Sequence, residues 1–265
     1  MWMAAMTRWK GRESLELLRA TVARIERGAA ARGGVLPLGV AAIDAALEEG
    51  GLRAGALHEV AGPAADGFAA VLAGRLAARD GGTVLWCAAG QGRGALHPPG
   101  LAMLGLEAAR LLLVRCRNQA DLLAAAEEGL RTVGLAAAVM ETARPLGMTA
   151  ARRLQLAAEA GGVTGILLCP GAGRRHGANA PGAMAPDSGI GGAGAGSTKV
   201  EHTPDLLPPS PAVSRWHADH APGGPEGNFR WRLALRRCRG GGSGQWMVDW
   251  DEKTHRLAVV PPAGD

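Results

Sequence analysis

Between residues 36 and 170 the apolar positions change rhythm repeatedly, from short continuous runs to helical spacing and back. The runs at 56–61, 83–88, 111–114, 135–141 and 164–169 predict strands. The stretches between them, at 66–79, 98–105, 118–130 and 149–160, predict helices. Strands that are apolar throughout and alternate with helices predict an α/β fold, with a mostly parallel central sheet covered on both faces. Thr149 is the expected N-cap of the last of these helices, and Gly161-Gly162 its stop. Past residue 212 the rhythm becomes alternation. Strands are predicted at 213–218, 229–237, 245–250 and 255–260, extending the sheet antiparallel. Within the third-last of them Trp231, Leu233 and Leu235 fall on one face, and Arg230, Arg232 and Arg236 on the other.

Two stretches break this pattern. At 12–31 Leu15, Leu18, Val22 and Ile25 recur at helical spacing with arginines opposite, and Gly33-Gly34 follows. An amphipathic helix is predicted there, either docked on the main domain or linking protomers. At 171–212 periodicity vanishes and Gly, Ala, Pro and Ser dominate. Such a segment buries too little surface to offset its ordering entropy, so a flexible insertion is expected. The organisation predicted is an N-terminal helix (1–34), a core (35–170), an insertion (171–212) and C-terminal strands (213–265).

Composition sharpens the picture in three places. Hydrophobic residues make up 47% of the 265, enough for a sizeable core, while 41 Gly and 16 Pro require irregular segments. The net charge of +5 and the pI near 9.6 permit nucleic acid or an acidic protein segment as partner and demand neither. Cys87, Cys116, Cys169 and Cys238 contain no C-x-x-C pair, which argues against a zinc knuckle or a redox motif and suits a reducing compartment. The first residues carry no apolar leader, and no run of about 18 uncharged apolar residues follows, so a cytoplasmic protein without a membrane span is expected.

Candidate chemistry is sparse. His217 and His220 are three apart beside Asp219, but Pro222 and two glycines follow, which predicts a loop rather than a helical metal site. His58 precedes Glu59 inside a strand and reads as a hydrogen-bonded core edge. Arg230, Arg232, Arg236, Arg237 and Arg239 form the densest basic cluster. It is either a solvated sheet face or a contact for an acidic partner segment or DNA phosphate, with protein favoured over DNA.

The most informative stretch runs from Leu36 to Ala69. A short amphipathic helix (Val40, Ile43, Leu47) carries Asp44, Gly50-Gly51 and Gly55 follow, and a strand ends in Glu59-Val60-Ala61. Gly62-Pro63-Ala64-Ala65-Asp66-Gly67-Phe68-Ala69 then opens a helix. In combination this resembles the RecA-type ATPase core. There the loop reads G-x-x-x-x-G-K-[ST], with the lysine on the phosphates and the hydroxyl on Mg²⁺. Under that resemblance Gly62 and Gly67 keep the glycines, Phe68 stands at the lysine position and Ala69 at the hydroxyl position. Asp66 adds negative charge beside them, Gly90 replaces the catalytic glutamate, and Glu141 is a relic of the Mg²⁺-associated carboxylate. The expectation is a degenerate loop with no nucleotide-binding site, no catalytic residues, no metal and no cofactor.

Within RecA-like proteins the chain is similar to the ImuA group and, more distantly, to SulA cell-division inhibitors. The ImuA likeness covers LPLGVAAIDAALEEGGLRAGALHEVAG, VLWC, the PPGLAMLGLEAARLLLVRCRNQADLLAAAEEGL stretch, MTAARRLQLAAEAGGVTGILL and the tail from SRWHADHAP to QWMVDWDEKTHRLAV. It implies an accessory role in SOS-induced mutagenic translesion synthesis. The partners implied are an ImuB-like protein, an error-prone replicative-type DNA polymerase and RecA, with any DNA contact indirect. The alternatives are a SulA-like inhibitor of a cytoskeletal GTPase and an active RecA-type ATPase.

Overall fold

A computed structural model describes residues 34–89, 96–142, 144–169, 209–223 and 229–261. The helix expected at 12–31, Gly90 and the insertion up to residue 208 lie outside them.

The apolar runs become the strands β3 (Leu57–Ala61), β4 (Thr83–Ala89), β5 (Leu111–Cys116), β6 (Leu135–Glu141) and β7 (Thr164–Leu168). A two-stranded ribbon, β1 (Val35–Leu36) with β2 (Leu52–Arg53), precedes them around the one-turn helix α1 (Ala41–Asp44). Asp44 folds back there, its carboxylate accepting the amides of Leu38 at 2.6 Å and Gly39 at 3.0 Å. The connecting helices are α2 (Ala65–Asp80), α3 (Pro98–Met103), α4 (Gln119–Arg131) and α5 (Met148–Gly161). Four more strands follow: β8 (Ser214–Ala221), β9 (Phe229–Cys238), β10 (Gly244–Asp251) and β11 (Arg256–Val259).

All but the ribbon join one nine-stranded sheet in the order β11-β10-β9-β8-β3-β7-β6-β4-β5. The six strands from β8 to β5 are parallel, and β9, β10 and β11 continue antiparallel. This is the expected α/β fold with one correction: β8 runs parallel to β3, not antiparallel. Strand direction depends on the end of the sheet at which the connection delivers the chain. Here Val213 arrives at the starting end of β3, where its amide donates to Leu57 O at 2.8 Å.

The sheet carries a core on each face. One joins α2 to Val60, Trp86, Val139, Trp216, Trp231 and Trp250. The other joins α4 and α5 to Leu57, Leu85, Cys87 and Met140. On the second face α5 packs close against the end of α4: a Cβ at Gly161 would lie 2.1 Å from Leu130 O. Gly162, at φ 69°, then ends α5 as its composition predicts. Its start differs from the expectation. Gly147 takes the N-cap position and its carbonyl accepts from Ala151 N at 3.1 Å, so Thr149 lies inside the first turn.

No helix among the described residues is long and apolar enough to cross a membrane.

Candidate functional site

The loop from β3 to α2 is the site singled out by the sequence. Gly62 turns it at φ 102°, and a Cβ there would fall 2.3 Å from Ala218 O of β8. Ala64 N donates to the same carbonyl at 3.0 Å. One loop amide is therefore bound by the neighbouring strand, and the loop lies directly against β8. Ala65 N bonds Gly62 O at 3.2 Å and Phe68 N bonds Ala64 O at 3.1 Å, so the helix begins at once.

Phe68 does not point toward the loop mouth. It is fully buried, edge-on to Trp216 at 5.4 Å and to Trp231 at 6.5 Å between ring centroids. A Cβ at Gly67 would sit 3.3 Å from the Trp231 ring, which explains a small residue there. Ala69 is also fully buried. Phe68 and Ala69 thus belong to the core beneath β8 and β9. Asp66 lies in the first turn of α2 and is half-buried. Across the sheet Glu141 is 6% exposed and accepts the indole N–H of Trp86 at 2.6 Å. A carboxylate stands at the end of β6 as expected, held by a tryptophan on the adjacent strand.

The basic cluster is divided by the fold. Arg230 forms a two-point pair with Asp249, at 2.6 and 2.8 Å. Arg237 donates to the carbonyls of Ser210 and Ala212, both at 2.7 Å, and Arg239 donates to Pro211 O at 2.8 Å. These two fasten the chain as it enters β8. Arg232 is exposed, opposite Asp219 on β8. Arg236 is the extra residue of a bulge, since Arg215 faces Arg237 while Trp216 faces Leu235. It therefore leaves the simple alternation expected for it. Trp231 and Trp250 are core residues, and the Trp250 indole donates to Met103 O at 2.8 Å.

Correction is also needed at His217 and His220, which lie in strand β8 rather than a loop, because β3 and β9 pair with both its edges. Three apart in a strand, their side chains leave on opposite faces. His217 contacts Asp219 at 3.3 Å. Among the described residues no group of three or more His, Cys, Asp or Glu is placed to hold a metal ion.

His58 is a hydrogen-bonded core residue as expected, but the partners of two buried polar assemblies escape sequence reading. Glu59 and Arg215 form an ion pair at 2.8 Å with side chains only 5% and 8% exposed. On the opposite face His58 is fully buried between Ser214 Oγ, 2.7 Å from Nδ1, and Arg53 O, 2.8 Å from Nε2. The carbonyl can only accept, so Nε2 carries the proton and Nδ1 accepts from the serine, whose oxygen takes the Trp216 indole N–H at 2.9 Å. The serine and histidine are both inaccessible, so the arrangement is structural rather than nucleophilic.

Burial, opposed by the hydrogen bond to Arg53 O, lowers the His58 pKa from 6.5 to about 4. The unfolded chain therefore binds the extra proton first. The stabilisation is complete above about pH 6.5 and is lost as the pH falls toward about 4, by about 3 kcal/mol. Urea unfolding of the wild type and His58→Asn over that range should show a shallower loss in the variant. Parallel profiles would contradict this role.

No protein-family model matches the chain. It is 38% identical over 237 residues to Protein ImuA of Caulobacter vibrioides, in strains NA1000 / CB15N and ATCC 19089 / CIP 103742 / CB 15, covering 83% of this chain and 85% of that protein. The chain belongs to the ImuA family. The loop, the aromatic stack and the Trp86–Glu141 contact are thus features of an ImuA-family protein.

Proposed function

We propose that this ImuA-family chain is a non-enzymatic accessory protein of SOS-induced mutagenic translesion DNA synthesis. It acts in the cytoplasm as an adaptor for an ImuB-like protein, an error-prone replicative-type DNA polymerase and RecA. One observation carries the non-enzymatic part. At the position where a RecA-type loop offers a lysine to phosphate, Phe68 is turned into the core against Trp216 and Trp231. A phosphate at this loop would meet neither the ammonium group nor the metal-binding hydroxyl on which the chemistry depends. Glu141, bound to Trp86, serves as a structural carboxylate on this reading. The core, the 171–212 insertion and the C-terminal strands form one adaptor in which β8 to β11 enlarge the sheet available for contact.

The partnership itself rests on the family likeness. Arg232 and Arg236 are the proposed contacts for an acidic partner segment, because Arg230, Arg237 and Arg239 already have acceptors within the chain. Deleting the gene should abolish most of the mutation induced by DNA damage, and the ImuB-like protein should co-purify with the tagged chain. Arg232→Glu with Arg236→Glu should weaken that capture about tenfold with the thermal melt unchanged. Undiminished capture by the folded double variant would remove these arginines from the contact, and undiminished induced mutagenesis in the deletion strain would overturn the function.

A further inference from the structure

Among the described residues the outermost parallel strand, β5, is bonded on one side only, to β4. Its second and third residues are exposed leucines: Leu112 is 51% and Leu113 39% accessible. Their register partners on β4 are Leu85, in the core beneath α4 and α5, and Trp86, in the core beneath α2. The two leucines therefore face opposite sides of the sheet. A helix docked on either face would cover one and leave the other. A strand laid along the open edge flanks both, and also satisfies the outward amides and carbonyls of β5.

The other edge of the sheet is blunted and this one is not. β11 has four residues, opens on Arg256 and is followed closely by Pro261. β5 has six residues in unbroken register with β4, no proline or glycine, and one charge, Arg115. Long apolar edges pair with other chains unless they are shielded, so an open β5 is a binding element. Charge selects the partner. Arg110, Arg115 and Arg117 lie in or beside the strand, and the Arg117 side chain is 92% exposed. Arg110 and Arg117 contact Glu107 and Asp121, whereas Arg115 has no ion pair among the described residues. A second β5 would bring the same cations to the same edge. We infer that β5 takes up, by strand addition, an extended segment of a partner protein in which apolar residues alternate and a carboxylate lies opposite Arg115.

The geometry stands alone, and only the choice of probe rests on the proposed partnership. Short overlapping peptides covering the ImuB-like protein are titrated against the full chain. An apolar, acidic peptide should bind and slow amide exchange at 111–116. Leu112→Asp and, separately, Arg115→Glu should each weaken it about tenfold. Both substituted positions are exposed, so the fold should survive, with circular dichroism as the check. The inference is overturned if no peptide binds, if both variants bind like the wild type, or if 111–116 is already protected in the chain alone, which would mean that its own residues or a second copy occupy the edge. Co-purification of the intact ImuB-like protein, measured separately, shows whether the partnership has failed instead.

Discussion

Phe68→Ala should lower the unfolding free energy by about 3–5 kcal/mol, the range for emptying a fully buried aromatic site. The ring is edge-on to two tryptophans, and its loss removes those contacts as well as the transfer energy. Phe68→Leu should cost less than half as much, because it refills most of the volume. The more telling variant is Phe68→Lys with Ala69→Thr, which completes the G-x-x-x-x-G-K-[ST] pattern. It should unfold or aggregate rather than gain nucleotide affinity, since the new ammonium would start fully buried against the Trp216 and Trp231 rings. Equilibrium denaturation of the three variants checks the order. A stable double variant that binds Mg–ATP would show that the loop can open.

Arg215→Met should be nearly as damaging. It leaves Glu59, whose side chain is 5% exposed, as a buried charge without its guanidinium, and stranding one member of such a pair costs about 3–5 kcal/mol. The double variant Arg215→Met with Glu59→Leu should recover most of that loss, because two apolar side chains need no ionic compensation. A double-mutant cycle from urea unfolding measures the coupling. Additive losses would show that the pair is not energetically linked, despite its 2.8 Å contact.

The contrast between these two sites shows what the chain disclosed in advance. Phe68 drew attention in the sequence because the RecA-type resemblance sets it one residue after Gly67, at the lysine position, but its packing on Trp216 and Trp231 was not legible there. The core strands were legible for a local reason, since β3 to β7 are apolar runs bounded by turns. The Glu59–Arg215 pair was not, because its members are 156 positions apart and meet only through the β3–β8 register. The same holds for His58 with Ser214. Nor does alternation in β9 reveal that Asp249 neutralises Arg230, or that Arg237 and Arg239 grip the chain entering β8. The direction of β8 and the cap of α5 failed for smaller reasons: one is set by a distant connection, the other by a glycine carbonyl rather than a threonine hydroxyl. The exposed pair on β5 looks in sequence like any buried run, and only its place at the end of the sheet distinguishes it.

The most direct measurement of the central claim is an equilibrium titration of the purified full chain with a fluorescent ATP analogue and Mg²⁺. A phenylalanine turned into the core at the position that the RecA-type resemblance gives to the lysine predicts no saturable binding at physiological nucleotide concentrations. Micromolar affinity that is lost on substituting Gly62 or Gly67 would contradict it.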